Sequence, residues 1–155
     1  MDDLQRTPII TFKDDKELNE CVRWWKDRLF LHDWSITAHL VDEAFEDDER
    51  TREVAGLNKF QWLHQTSIIS ISRKQVEDGV AIEDSVIKVC AEKTLVHELL
   101  HLRMNWLSPP YSHEGNYYDA MEHQKLEQFA RSLILAKYQL PPDWFDNSSV
   151  KEYTT

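Results

Sequence analysis

Apolar positions over residues 14–30 fall at Leu18, Cys21, Val22, Trp25 and Leu29. That is the spacing of one helix face, with Asp14 and Asp15 as cap and acidic first turn. After LHD the period changes: Trp34, Ile36, Ala38 and Leu40 alternate with Ser35, Thr37 and His39, the pattern of a half-buried strand. The acidic run DEAFEDDERTRE, residues 42–53, ends it. Two further strands are expected at about residues 54–63 and 67–72, joined by a polar turn near His64 and Gln65. Their short connection favours an antiparallel meander.

Beyond the polar loop KQVEDGVAIEDS, residues 86–106 carry helical periodicity, closed by Ser108, Pro109 and Pro110. A last helix follows, with Met121, Leu126, Phe129, Leu133 and Ala136 at helical intervals, Asn116 near its start and Pro141 and Pro142 at its end. The expected fold class is therefore α+β. An N-terminal helix, a small antiparallel or mixed sheet of about three strands and two further helices pack on one face of that sheet. The 155 residues fit one domain, 1–155, with a core of about 9–142 and a tail, 143–155, expected as a surface appendage.

Composition narrows the function classes. With 30% charged residues and 41% hydrophobic ones the chain has the material for a packed core. A net charge of -10 argues against a nucleic-acid partner and against an anionic membrane surface, because both demand a basic face. The acidic run itself reads as a solvated loop or strand edge. No stretch reaches the roughly 18 apolar residues of a membrane span, and the start lacks the basic and apolar regions of a signal peptide. Cys21 and Cys90 read as buried thiols in a reducing compartment. The expectation is a cytoplasmic protein without a membrane partner.

The chemistry is concentrated in KTLVHELLHLRMNWL, residues 93–107. Residues four apart on a helix lie one turn apart on the same face, so the imidazoles of His97 and His101 can converge on one ion. A catalytic zinc takes three protein ligands and keeps one position open for water. Glu98 leaves the helix at an adjacent angle, where its carboxylate can take a proton from an activated water without occupying the ion. The leucines around the motif make the setting apolar, and two histidines with a glutamate are costly to bury there without a partner.

The third ligand must come from later in the chain. MEHQKLEQF offers Glu122, His123 and Glu127, and the preceding loop offers His113. Glu122 shares a stripe with Leu126, Phe129 and Leu133, which turns it inward and favours it. His123 and Glu127, four apart, stay open as a ligand and its hydrogen-bonding partner. Tyr111, Tyr117 and Tyr118 are candidates to stabilise an oxyanion.

HELLH with an acidic residue on a later helix resembles the zincin metallopeptidases, and among them the gluzincins. The layout of a DWSI strand, a TLVHELLHL helix and a MEHQKLEQFARSL helix is similar to compact phage- and prophage-type members, the minigluzincins. This resemblance covers nearly the whole chain, though only HELLH is a specific motif. It implies His97 and His101 as Zn²⁺ ligands, Glu98 as general base, Glu122 or His123 as third ligand, and a peptide or protein substrate. EH stands here where such sequences show two adjacent acidic residues. His113 in SHEGNYYDAM resembles instead the third histidine of SprT-like proteases. By the same resemblance, the strand at residues 67–72 is the candidate to bind an extended peptide. Expected activity is hydrolysis of peptide bonds by metal-activated water; the alternative is a catalytically silent module that keeps the fold and a metal.

Overall fold

The computed structural model describes residues 7–42, 45–47, 52–74, 89–104 and 116–146. Helix α1, Asp15–Arg28, starts where the Asp14 carboxylate accepts a hydrogen bond from the Glu17 amide, and it buries Leu18, Cys21, Val22 and Trp25. Strands β1 (Ser35–Val41), β2 (Phe45–Asp47), β3 (Arg52–Val54), β4 (Gly56–Gln61) and β5 (Thr66–Ser72) follow, then helices α2 (Ala91–Met104) and α3 (Asn116–Tyr138). None of the described helices is long and apolar enough to cross a membrane.

The chain is α+β, with three helices and a three-stranded mixed sheet ordered β1-β5-β4. The expected meander is corrected in one respect. β4 and β5 form the antiparallel hairpin, Gln61 opposite Thr66, but β5 then pairs with β1 in parallel, Ser35 opposite Thr66. Inserting β5 between the other two gives the central place to the strand whose Ile69 and Ile71 are fully buried on its inner side. The acidic run, expected as a solvated loop or strand edge, contributes most of the small antiparallel ribbon of β2 and β3.

The two edges of the sheet differ. Along β1, α1 supplies side chains to the open backbone groups. Asn19 Oδ1 accepts from Ala38 N at 3.2 Å, Asn19 Nδ2 donates to Ala38 O at 2.8 Å, and Asp15 Oδ1 accepts from Leu40 N at 2.8 Å. Covering an edge in this way removes it as a template for another strand. Among the described residues no strand pairs with the outer edge of β4.

The core lies between the inner face of the sheet and the helices, and includes Leu18, Trp25, Ile69, Ile71, Leu95, Leu99, Leu126 and Ile134. Within it Glu92 is fully buried. Its carboxylate accepts from Ile9 N at 3.0 Å, Trp25 Nε1 at 2.9 Å, Lys137 Nζ at 2.6 Å and the Tyr138 hydroxyl. The N-terminal segment, α1, α2 and α3 thus meet at one carboxylate. Four donors compensate the loss of water that makes a buried charge costly. Phe145 is also in the core, with Trp144 against it, so packing continues past Pro142 into the stretch expected as a surface appendage.

Candidate metal centre

α2 is buried along almost its whole length, and its less-buried positions include His97 and His101, one turn apart. The inward stripe of α3 runs through Leu126, Ala130, Ile134 and Tyr138, while Phe129 is 45% exposed. That stripe is rotated from the one expected through Phe129, Leu133 and Ala136, because Phe129 faces solvent where Ala130 allows α3 close to its neighbours. His123 lies three residues before Leu126 and seven before Ala130, in line with the true inward face.

Accordingly His97, His101 and His123 converge: one nitrogen from each lies within 4.8 Å of the others. Their rings sit 5.1–5.7 Å apart centroid to centroid. Tetrahedral zinc with Zn–N bonds of about 2.0–2.1 Å separates its nitrogens by roughly 3.4 Å. The three nitrogens stand at a spacing of that order, and the group could hold a metal. Among the described residues no other group of this kind occurs. The backbones of Glu122, Tyr117 and Tyr118 belong to α3, but their side chains, like the whole of Tyr111 and His113, lie outside the described residues.

Glu127, the residue four after His123, accepts from His97: Oε1 is 2.8 Å from Nδ1. Its other oxygen is held by Lys93 Nζ at 3.0 Å and approached by Arg131 Nη2 at 3.3 Å. Burial alone would raise the pKa of Glu127, but the His97 hydrogen bond and the Lys93 charge lower it to about 2. Burial disfavours a charged His97, yet the Glu127 hydrogen bond and the charges of Glu98 and Glu127 outweigh it and raise its pKa. With Nδ1 engaged, Nε2 is the nitrogen left for an ion. His101 is driven down to about 3 by burial and by His97 and His123, so it is neutral, the form a metal needs.

Glu98 is 8% exposed. Burial pushes its carboxyl up to about 7 against the opposing pull of His97, with Glu127 adding to the rise. It lies against β4. A Cβ placed on Gly56 would come 3.2 Å from Glu98 Cγ, 3.3 Å from its Oε1 and 2.8 Å from Thr94 Cγ2. Asn58 Nδ2 donates to the Glu98 carbonyl at 2.8 Å. The strand beside the motif is therefore β4, not the one at residues 67–72. That strand is β5, paired on both sides, and has no edge to offer.

Sequence reasoning passed over Lys93, Glu92, Gly56 and Asn58. For the first two a signal existed: Lys93 precedes His97 by four, and Glu92 shares its helix stripe with Leu95, Val96 and Leu99, so each charged group stood on a face that had to be buried. No local signal marked Gly56 or Asn58, whose roles depend on which helix crosses β4. No protein-family model matches this chain, and neither does any curated protein.

Proposed function

We propose that this chain is a zinc-dependent peptidase of the HExxH type. One observation carries the reading: three imidazoles from two helices converge on one point while the glutamate beside the first of them is buried against the sheet. Three nitrogen ligands match a catalytic zinc, and a structural zinc would fill all four positions with protein ligands. A divalent ion there would polarise a carbonyl and acidify a water.

His97, His101 and His123 would hold the ion, and Glu127 would keep His97 presented by Nε2. Glu98, with its carboxyl raised towards neutrality, suits a group that accepts a proton from the attacking water and returns it to the leaving amine nitrogen. The outer edge of β4 beside Glu98, with which no strand among the described residues pairs, would take an extended peptide as an added strand, by main-chain hydrogen bonds. A peptide or protein is accordingly the substrate class, and the negative net charge argues against nucleic acid in that role.

The test combines metal analysis of untagged protein with a peptide library assayed with and without chelator. Stoichiometric zinc, chelator-sensitive cleavage, and a Glu98→Gln variant that keeps zinc but loses roughly a hundredfold or more in kcat are expected. Full activity in metal-replete Glu98→Gln would remove the base from the scheme. Chelator-induced unfolding with no cleavage would make the chain a metal-stabilised binding module instead.

A further inference from the structure

We infer that Asn58 is a positioning residue for Glu98, tying the catalytic carboxylate to the strand on which substrate would lie; this rests on the reading of Glu98 as the general base. Asn58 and Ser67 occupy the inner side of a sheet whose inward neighbours are Ile69 and Ile71. A polar pair there costs free energy unless its groups are satisfied. They are satisfied in a directed chain: Ser67 Oγ donates to Asn58 Oδ1 at 2.7 Å, and Asn58 Nδ2 donates to the Glu98 carbonyl at 2.8 Å. The Ser67 hydroxyl engages the oxygen of the amide, and its nitrogen is the end turned towards α2.

The acceptor is a helix carbonyl that the α-helical pattern already pairs with the Leu102 amide. A second donor at that oxygen adds nothing α2 needs in order to be a helix. What it does is hold one residue of α2 in register with one residue of β4. Two positions earlier on the strand, a Cβ at Gly56 would crowd the Glu98 side chain, 3.2 Å from its Cγ and 3.3 Å from its Oε1, and would overlap Thr94 Cγ2 at 2.8 Å. β4 therefore touches Glu98 twice, at its carbonyl through Asn58 and at its side chain through Gly56. Nearby apolar residues such as Phe60 pack the strand against the core, but apolar contact is non-directional and selects one register less sharply than a hydrogen bond does. A directed hydrogen bond penalises sliding along α2.

The experiment compares wild type with Asn58→Ala, Asn58→Asp and Ser67→Ala, and with Thr37→Ala on the open face of β1 as control. Steady-state kinetics on a cleaved library peptide are read alongside the carboxyl ¹³C resonance of Glu98 in chelated protein, assigned by its loss in Glu98→Gln. Asn58→Ala and Asn58→Asp are expected to lower kcat by roughly ten- to a hundredfold while KM moves less than about twofold, since small displacements of a reacting group carry costs of this size. Ser67→Ala lowers it less, in the same direction. The Glu98 resonance moves in all three and stays in the control.

An Asn58→Ala protein with wild-type kcat and an unmoved resonance would overturn the inference, as would lost activity with an unmoved resonance. If Asn58→Ala does not fold, Asn58→Asp and Ser67→Ala carry the same readings. A moved resonance in a wild-type background that cleaves nothing would leave Asn58 positioning Glu98 and refute the peptidase reading. Cleavage that survives every change at Asn58 would do the reverse.

Discussion

Glu127 Oε1 lies 2.8 Å from His97 Nδ1, and that bond decides which imidazole nitrogen is offered to the histidine group. A carboxylate held by Lys93 and Arg131 is ionised at every pH at which a metal could bind, so it acts as a constant acceptor for the Nδ1 proton. Glu127→Ala should weaken zinc binding by about 10- to 100-fold, measured by competition with a chromophoric chelator. Glu127→Gln, whose amide oxygen can still accept, should fall between the two. An unchanged affinity in Glu127→Ala would separate Glu127 from the metal centre.

The convergence of His97, His101 and His123 makes His123 the candidate third ligand, and substitution tests it. His123→Ala should lose stoichiometric zinc as His97→Ala and His101→Ala do, because two ligands hold an ion far less well than three. Glu122→Gln should retain it. Zinc kept by His123→Ala and lost by Glu122→Gln would return the role to the acidic residue.

Away from the metal centre, Glu92 is expected to dominate stability. Truncating it to Ala leaves Lys137, Trp25 Nε1, Tyr138 and the Ile9 amide without their acceptor. Breaking a buried ion pair from one side costs about 3–5 kcal/mol. Urea unfolding of Glu92→Ala should show a loss of that order, with the zinc affinity of the remaining folded protein close to wild type. A loss below about 1 kcal/mol would mean that the donors find water instead.

Alkaline pH should destabilise the fold before the metal centre is considered. Burial raises the Cys90 thiol from 9.0 to about 11. Burial and the nearby Glu92 also raise Cys21 and Tyr138. The unfolded chain therefore loses these protons first, so the stability they contribute is complete below about pH 9 and declines as pH rises through 11. Each such group gives up about 1.4 kcal/mol per pH unit over its window. Melting temperatures of chelated protein between pH 8 and 10.5 should fall, and fall less steeply in Cys90→Ala. A flat profile would contradict the burial of these groups.

Much of the molecule follows from local pattern alone. α1 and its Asp14 cap, the alternation of β1 and β5, and the placement of His97, Glu98 and His101 on one apolar helix depend on spacings within a few residues, which backbone geometry converts directly into faces. The face of α3 was harder to read, since Phe129 and Ala130 compete for the inward position and the smaller residue wins where a helix must approach closely.

What the sequence by itself determined is therefore the three helices and the main strands, the α+β class, and the placement of His97, Glu98 and His101 on one helix. Tertiary structure decided the rest: β5 inside the sheet, β4 at the outside of the described sheet, His123 across from His97, Glu127 behind it, and Glu92 at the meeting of three helices. Each of these joins residues 26 or more positions apart or depends on which elements neighbour one another. Such pairings are set by how whole faces bury against one another, and no short-range period records that choice.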